Sequence, residues 1–545
     1  MSRLSGVGVS SGRASGPVAR VSEPLPEPAS GPAPADPAAE AARIRPAADA
    51  VGERLFQRAS RVDGDAKAIL ETTAAMAMDP ALTSQAEQLV INRSLPAARA
   101  VHEAAGGFAD ALRSAGGYMA ERARDVQDVR DRIVAELLGI TPPGVPELEE
   151  PSILLAHDLA PADTADLDPA MVLALVTEEG GPTSHTAILA RALEIPAVVA
   201  VRGLFDDTRF AGAVVDGDTG EVETLDEAVP AEAAQRGAPT EWDGAGATAD
   251  GHVVKIVANV GSVADARTAV EAGAQGVGLF RTEFCYLAAD DEPPVATQRS
   301  AYAAILAPFA GKPVVVRTLD AGADKPLAFL DMGVEPNPAL GVRGVRVSFD
   351  RQGVLDRQLE AIAGAAADSG ADVSVMAPMV ATASEASWFA GRVRAAGLGR
   401  AGVMIEVPAA ALSAREILEV VDFVSIGTND LAQYVFAADR MAGALAALND
   451  PWQPALLRLV GMVGEAGAEL GKPVGVCGEA AADPLLARVL VGLGVTSLSM
   501  VPAAVTGVGA AVAGGSLDAC RRAAEAALGA SDPAGARQRA RAALG

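Results

Sequence analysis

The segment Glu179-Gly180-Gly181-Pro182-Thr183-Ser184-His185-Thr186-Ala187-Ile188-Leu189-Ala190-Arg191 places a histidine at the start of a predicted helix. Its two glycines let the backbone bend and approach a ligand closely, and Thr183 or Ser184 is a good N-cap. The run 187–193 that follows is apolar, periodic and rich in helix formers. We therefore expect His185 in the first turn of a helix, after a bent loop.

A histidine in this position can react with phosphorus. Unpaired backbone N–H groups and the positive end of the helix dipole favour an anion such as a phosphoryl group. The imidazole is largely neutral near pH 7, so it can act as a nucleophile. The alternative is an ordinary histidine at a helix start. The Gly-Gly-x-Thr-Ser-His context, in a chain with only four histidines, favours the reactive role for His185.

The composition limits the classes of function. A chain of 545 residues is expected to form roughly two to four domains. The net charge of −26 argues against nucleic acid and anionic membranes as partners, and it suits a basic protein partner. The three cysteines are too few for a disulfide framework, and no signal peptide is evident, so we expect a cytoplasmic protein. The uncharged span 489–517 is interrupted by glycine, serine and proline, which favours a buried strand and a packed helix over membrane insertion.

The first 250 residues predict an α/β domain that is interrupted by a helical insertion. Residues 1–21 show short strands with glycine turns, and residues 145–228 return to buried strands and a hairpin. Residues 22–144 contain a proline-rich connector and then helical periodicity. Residues 229–250, rich in alanine, glycine and acidic residues, are predicted to be a linker. The predicted helices of the insertion are 66–78, 82–104 and 109–138.

Residues 251–545 alternate apolar strands with amphipathic helices, which predicts a (β/α)8 barrel. The predicted strands are 253–258, 276–279, 314–317, 342–347, 373–379, 403–407, 423–426, 474–477 and 497–500. In such barrels the residues at the carboxyl ends of the strands usually carry the function. Polar residues occur at these ends repeatedly: Arg281, Arg317, Glu406, Asn429, Asp430 and Cys477.

These residue types suit a phosphorylated, acidic substrate. Arg281, Arg317 and Arg440 offer planar donors for phosphate and carboxylate. Lys325, on a loop, is either a phosphate contact or a solvated charge. One charged strand end is more often a salt bridge or a helix cap, but several in register on one barrel face are hard to explain by structure alone.

The remaining residues at these ends suit a metal ion and a proton transfer. Glu406 and Asp430 provide hard oxygen ligands for Mg²⁺, which completes its shell with substrate and water. Cys477 is equally consistent with a proton donor and with a small buried core residue.

Both halves of the chain resemble the phosphoenolpyruvate-utilising enzymes, and within them Enzyme I of the bacterial sugar phosphotransferase system. The segment around His185 resembles the phosphohistidine loop of these enzymes. Residues 4–21 and 118–129 are similar to the opening and to the end of the helical subdomain of Enzyme I. The barrel segments that carry the resemblance are 278–284, 316–320, 341–343, 403–411, 425–431, 438–440 and 476–479.

The resemblance implies a mechanism with two transfers. The arginines would hold the phosphate of phosphoenolpyruvate, with Asn429 beside the substrate and Arg343 and Lys325 as further contacts. Glu406 and Asp430 would bind Mg²⁺, and Cys477 would protonate the enolate to give pyruvate. His185, on a swivelling domain, would take the phosphoryl group and pass it to the phosphocarrier HPr. The resemblance also implies a homodimer through the barrel.

The domain organisation favours Enzyme I over its relatives, and three departures stand out. A dikinase or synthase would carry a large nucleotide-binding domain before its phosphohistidine, and a nitrogen-linked paralogue would carry a sensory domain; neither is evident. A non-catalytic scaffold of the same fold would be favoured by loss of His185, Arg281 or Cys477, and all three are present. The departures are Thr73, near a usual histidine of the docking surface, Ala323 in place of a glycine, and Val407 in place of a threonine.

Overall fold

A computed structural model of the chain describes residues 2–544 except for 11, 23–24, 61–63, 116, 147, 160–162, 164–166, 181–184, 194, 207–208, 218, 233–241, 287–290, 323–326, 331, 334 and 441. The side chains of some further helical residues, that of His185 among them, are also outside the description. The chain divides into two compact units. The first is Met1–Arg236 with Met441–Ala447, and the second is Gly237–Arg440 with Leu448–Gly545.

The first unit is built on a mixed sheet that contains eight strands among the residues described. They are β1 (Ser2–Ser5), β2 (Val7–Ser10), β3 (Arg13–Arg20), β4 (Ser152–Ala156), β5 (Val172–Thr177), β6 (Ala197–Val199), β7 (Gly212–Asp216) and β8 (Glu221–Leu225). Their spatial order is β1-β8-β7-β3-β4-β5-β6-β2. Strands β3 to β6 run parallel, and the outer pairs are antiparallel. Strands β4 and β5 are buried along their whole length, because each is a continuous apolar run between two covered faces.

A helical bundle is inserted between β3 and β4. Its helices are α1 (Pro37–Ala41), α2 (Ile44–Ala59), α3 (Gly64–Ala77), α4 (Pro80–Arg93), α5 (Ala97–Ala115) and α6 (Gly117–Leu138). The bundle has its own apolar core, rich in alanine. The single helix predicted for 82–104 is wrong: α4 ends at Arg93, and Ser94 adopts the left-handed conformation with φ of 52°. Pro96 follows, and its ring disfavours a continuous helix through this point.

Helix α7 (His185–Ala192) follows β5 and packs against β2 and β6. The prediction that a helix begins at the histidine of the Gly-Gly-Pro-Thr-Ser-His segment is confirmed, since His185 is the first residue of α7. The buried alanines Ala187 and Ala190 fix the helix to the sheet. The residues 181–184 of the preceding loop lie outside the described part of the chain.

Eight parallel strands close into a barrel in the second unit. They are β9 (Lys255–Val260), β10 (Val277–Arg281), β11 (Pro313–Arg317), β12 (Asp372–Val380), β13 (Ala401–Ile405), β14 (Phe423–Ile426), β15 (Val474–Val476) and β16 (Ser497–Met500). The barrel closes where β16 pairs with β9, from Ser497 opposite Lys255 to Met500 opposite Ala258. Alternate strand residues point outward into one continuous apolar core with the helices. The predicted barrel is therefore confirmed.

The helices of the second unit surround the barrel. They are α8 (Val263–Glu271), α9 (Val295–Leu306), α10 (Val345–Asp350), α11 (Gln352–Ser369), α12 (Ala383–Ala395), α13 (Pro408–Leu412), α14 (Ala414–Val420), α15 (Thr428–Phe436), α16 (Pro454–Leu470), α17 (Pro484–Gly492), α18 (Val505–Ala513), α19 (Leu517–Leu528) and α20 (Pro533–Leu544). Several begin at side-chain caps; Thr382 and Glu385 form a capping box at the start of α12.

One predicted barrel strand is wrong. The segment 342–347, with valine at positions 342, 345 and 347, is a turn followed by the start of α10. Gly344 has φ of 62°, a left-handed conformation that glycine adopts without a steric penalty, and it reverses the chain at that point. Arg343 thereby points into the barrel mouth, and only an isolated bridge links it to Gly322. The other eight predicted strands each overlap an observed strand.

The uncharged span 489–517 is accounted for by buried elements. It contains the end of α17, the strand β16 and the helix α18, whose apolar residues belong to the core of the second unit. Among the residues described, no single helix is both long enough and apolar enough to cross a membrane, although the sharply bent pair Pro502–Ala513 and Leu517–Leu528 meets the criteria jointly.

Candidate active site

The polar residues predicted for the strand ends meet at one end of the barrel. Arg281 and Arg317 are the last residues of β10 and β11, Glu406 follows β13, and Cys477 follows β15. The turn after β14 leads into α15, whose first turn contains Asn429 and Asp430. Since all the strands are parallel and the barrel is closed, these side chains share a single mouth.

Arg317 is held by two carboxylates. Its Nη2 donates to Oε1 of Glu283 at 3.0 Å, and its Nη1 lies 3.6 Å from Oδ2 of Asp320. Burial lowers the pKa of this guanidinium, but the charges of Glu283 and Asp320 outweigh burial and raise it. Arg317 is therefore a permanent cation. Its Nε is buried without a hydrogen-bond partner in the described part of the chain.

Arg343 is 2% exposed and spans the mouth between two acidic residues. Its Nε and Nη2 donate to the two oxygens of Asp320 at 3.0 and 2.9 Å, a bidentate pair. Its Nη1 donates to Oδ1 of Asp430 at 3.1 Å. Arg343 thus fixes the position of Asp430 relative to the loop after β11.

Glu406 lies in a confined acidic position. Its Oε2 accepts a hydrogen bond from the backbone N–H of Met379 at 2.9 Å, and Met379 holds the left-handed conformation with φ of 59°. Gly427 leaves the space that Glu406 fills, because a Cβ at Gly427 would lie 2.7 Å from Oε1 of Glu406. Burial, then the neighbouring charges of Asp430 and Asp320, raise the pKa of Glu406 to about 7.

Cys477 is a buried thiol on the inner wall of the mouth. Burial raises its pKa to about 11, against a smaller opposing effect of the Ser425 hydroxyl. The residue is therefore protonated at neutral pH and can donate a proton. Its backbone carbonyl accepts a hydrogen bond from Nδ2 of Asn259 at 3.0 Å, which ties the start of this loop to β9.

Three further residues complete the mouth. The side chain of Arg281 is in contact with solvent, but protein atoms surround it on its other sides. This partial loss of water, and then repulsion from Arg317, lower the pKa of its guanidinium. Arg440 is partly exposed, with its Nη1 3.8 Å from Oδ2 of Asp430. Asn429 accepts a hydrogen bond from the backbone N–H of Glu479 through Oδ1 at 3.1 Å, so its amide orientation is fixed.

The donor set fits a divalent cation that is shared with a substrate. Within the described residues no group of three or more histidine, cysteine, aspartate or glutamate side chains could hold a metal by itself. Glu406 and Asp430 are two carboxylates whose mutual repulsion a cation would relieve, and a hard cation that keeps water and substrate oxygens as ligands needs no more. The buried Oγ1 of Thr428, without a partner among the described residues, provides another polar atom near Asp430.

Two predicted site residues cannot be placed in the same way. Lys325 lies outside the described residues, as does the side chain of His185.

Another histidine, His157, lies at the carboxyl edge of the first sheet, directly after β4. Its Nδ1 is 2.5 Å from Oε2 of Glu178, just after β5, and its ring stacks on Phe205 at 4.0 Å. The carboxyl edge of the first sheet, where α7 begins, is thus organised by a second histidine.

The sequence alone did not identify Glu283 and Asp320 as part of the site. Asp320 is 1% exposed and binds both Arg343 and Arg317, and Glu283 accepts from Arg317 and from the backbone N–H of Asp320. Both follow an arginine at a strand end by two or three residues. A buried arginine needs a carboxylate partner, so an acidic residue at this spacing could have been predicted to belong to the site.

The fold and this site define a (β/α)8-barrel enzyme whose mouth combines arginines, carboxylates and a protonated thiol. Sequence profiles of the PEP-utilising enzymes match most of the chain: the N-terminal domain over residues 5–122, the mobile domain over 148–220 and the PEP-binding domain over 240–516. The chain belongs to the PEP-utilising enzyme family.

Similar proteins have a common name. The chain is 52% identical to the phosphoenolpyruvate-protein phosphotransferase of Streptomyces coelicolor, over 99% of each chain. It is 42% identical to the enzyme of the same name from Haloferax volcanii, over 84% of this chain and 83% of that one. The NMR solution structure of Enzyme I (nEIt) is 33% identical over 41% of this chain and 92% of its own, with a TM-score of 0.34. The chain is thus a transferase that moves a phosphoryl group from phosphoenolpyruvate to protein, in a family that generally needs a divalent metal.

The raised pKa of Glu406 predicts a pH-dependent loss of stability in the absence of divalent cations. Below the unfolded-state pKa of 4.5 the Glu406 carboxyl is neutral in both the folded and the unfolded chain, and the free energy of unfolding is not reduced by it. As the pH rises to about 7, the unfolded chain ionises first, so folding loses stability, about 2 kcal/mol between pH 5 and 8. We expect the free energy of unfolding of the wild type, measured with urea in EDTA, to fall by this amount relative to that of Glu406→Gln over this pH range.

The control for this measurement is Glu360→Gln, an exposed glutamate on α11. Its free energy of unfolding should follow that of the wild type at every pH. Parallel pH curves for Glu406→Gln and the wild type would contradict the assignment of a buried, strained carboxylate.

Proposed function

We propose that phosphoenolpyruvate binds at the carboxyl end of the barrel, phosphorylates His185, and so supplies the phosphoryl group for HPr, the first step of the sugar phosphotransferase system. The observation that carries the proposal is the joint placement of Arg281, Arg317, Glu406, Asp430 and Cys477 at one barrel mouth.

Each residue has a proposed role in substrate binding. Arg281, Arg317 and Arg440 bind the phosphate, since guanidinium groups match phosphate oxygens and stay charged. Arg343, saturated by two aspartates, acts mainly by holding Asp430 in place. Asn429 contacts the substrate through its amide N–H groups, because its Oδ1 is already engaged. Lys325 is a further phosphate contact.

The proposed metal is Mg²⁺, held by Glu406 and Asp430. When bound, it offsets negative charge on the substrate oxygens. Burial and then the charge of Asp430 raise the pKa of Glu406, as expected for a cation site without its cation.

The proposed chemistry begins with in-line attack of the neutral His185 imidazole on phosphorus. The bond between phosphorus and the enol oxygen breaks, and its electron pair leaves with pyruvate enolate. Cys477 then gives its thiol proton to the methylene carbon of the enolate, which yields pyruvate. The high thiol pKa supports this role, because the proton is still present at neutral pH when the enolate forms.

The second transfer requires that His185 meets a partner away from the barrel. We propose that the domain formed by 1–21 and 145–228 carries it to HPr, which docks on the helical subdomain 22–144, and that 229–250 serves as the linker to the barrel domain 251–545. Thr73, at the position near the expected docking histidine, is buried in α3, so the docking surface is formed by other residues of the subdomain.

Labelling with phosphoenolpyruvate tests the intermediate. Full-length protein with Mg²⁺ and labelled phosphoenolpyruvate, without nucleotide, should acquire acid-labile, base-stable label at close to one group per chain. His185→Ala should acquire none, and His252→Ala, a histidine of the second unit, should be labelled like the wild type. Label that appears only with a nucleotide would contradict the proposal and favour a dikinase-like enzyme. Addition of HPr should transfer the label from the chain to the carrier.

Substitution of the thiol tests the proton donor. Cys477→Ala should lower the rate of pyruvate formation by on the order of 10²- to 10⁴-fold while the affinity for phosphoenolpyruvate changes little, because the thiol acts on the product enolate. Cys520→Ala, a buried thiol on α19 in the outer core, is the matched control and should retain activity. A wild-type rate in Cys477→Ala would remove the residue from the mechanism.

The proposed assembly is a homodimer through the barrel, in the cytoplasm. Large apolar side chains on the second unit support it, with Leu340 70% and Leu412 63% exposed. The free thiols of Cys285, Cys477 and Cys520 support a reducing compartment. Sedimentation equilibrium should find twice the chain mass of 54.9 kDa at micromolar concentration. A stable species of one chain mass would contradict the dimer.

A further inference from the structure

The end of the barrel opposite the candidate active site opens into a cavity of about 1180 Å³. Its wall includes the first residues of several strands, among them Lys255 of β9, Pro313 of β11, Phe423 of β14 and Ser497 of β16. The cavity extends outward along the helices α16 and α19. It therefore lies wholly within the second unit, at the amino-terminal mouth.

The space exists because the inward-facing residues at this end are small. Barrel interiors are usually filled by layers of valine, isoleucine and leucine. Here the inner wall carries a different set: Ser374, Ser425, Gly475, Ser497 and Ser499. Only Val257, Val315 and Phe423 provide larger apolar side chains on that wall. The sequence thus leaves a cavity where other barrels have packed core.

A layer of side chains separates this cavity from the active site. Leu279, Met376, Met404 and Cys477 form a small buried cluster inside the barrel. None of these four lines the cavity, and no proposed substrate-binding or metal-binding residue does so either. A ligand in the cavity is consequently distinct from the substrate at the carboxyl end.

The cavity presents an apolar surface and a cationic rim. Met462 is 42% exposed and Val253 66% exposed, large apolar side chains that a ligand would remove from water. Five cations, Lys255, Arg400, Arg458, Lys472 and Arg521, line it against three acids, Asp422, Glu465 and Glu525. This local excess is notable in a chain with a net charge of −26.

Two of the five cations are available to a ligand. Arg458 donates to the carbonyl of Leu528, Lys472 to the carbonyls of Leu418 and Val421, and Arg400 to Asp372. Lys255 and Arg521 have no side-chain hydrogen bond or ion pair with the residues that the structure describes. Since no described residue offsets their charges, these two side chains are the lining cations with which an anionic group would pair.

We propose that the amino-terminal mouth of the barrel binds an amphipathic monoanion, with its apolar body against Val257, Val315 and Phe423 and its anionic group at Lys255 and Arg521. An aliphatic carboxylate of medium chain length has this chemistry. A pocket of mainly apolar lining with few polar groups at its edge is the usual form of a small-molecule site. The proposal does not depend on the phosphotransfer mechanism.

Titration calorimetry with sodium decanoate, below its micelle concentration, tests the site on the full chain. We expect one decanoate per chain. The double variant Lys255→Gln with Arg521→Gln should weaken binding on the order of tenfold or more. Arg522→Gln, the adjacent exposed arginine on α19, is the matched control and should bind like the wild type. Decanol, which lacks the charge, should bind equally to the wild type and the double variant.

A second variant tests the apolar part of the site. Ser374→Leu places a larger side chain on the inner wall of the cavity and should weaken both decanoate and decanol, while an unchanged circular dichroism spectrum confirms that the protein is folded. Unchanged decanoate affinity in both the double variant and Ser374→Leu would overturn the proposal. A change of sedimenting mass in Lys255→Gln with Arg521→Gln, without ligand, would assign the mouth to a second copy of the chain instead and would equally overturn it.

Discussion

The buried ion pair between Arg343 and Asp320 is the constraint on which the barrel mouth depends. Both side chains are almost fully removed from water, so each charge is stable only because the other, and Asp430, is in place. Asp320 also faces Arg317, and Arg317 donates to Glu283, which lies two residues after the end of β10. This network explains why the mouth can hold several arginines within one small volume. Asp320 and Glu283 together offset the charges of Arg317 and Arg343.

The same burial has opposite consequences for the acid and the thiol. Desolvation raises the pKa of Glu406 to about 7 and that of Cys477 to about 11. For Glu406 this is a cost at neutral pH, because the proposed role as a cation ligand requires the ionised form. For Cys477 it is an advantage, since a proton donor must still be protonated when the enolate forms. In the proposed mechanism a bound cation would favour the ionised form of Glu406, because it would offset the charges of Asp430 and Asp320.

Much of this arrangement could be predicted from the sequence, and the failures have physical reasons. The strand ends could be predicted because buried parallel strands are continuous apolar runs. Arg281 and Arg317 each end such a run, so the sequence places them at the carboxyl ends of their strands. The segment 342–347 is predicted to be a ninth strand from its three valines, although Arg343, Gly344 and Arg346 interrupt them. In this segment the left-handed conformation of Gly344 and the ion pair of Arg343 with Asp320 outweigh the strand propensity of the valines. At Ser94 helical periodicity continues across the break, although Pro96 inside the predicted helix was a signal against it.

Pairings across the mouth could not be predicted, because they arise only on closure of the barrel. Arg343 and Asp430 are 87 positions apart in the chain, and nothing local to either indicates the other. The lining of the cavity at the amino-terminal mouth could not be predicted for the same reason. Serines and glycines scattered over β12, β14, β15 and β16 read as ordinary strand residues, and only closure places them on one wall. Natural barrels tolerate such a wall at a cost, since unfilled interior forgoes packing contacts. A ligand that fills the space recovers them, which is the physical reason to expect the cavity to be used.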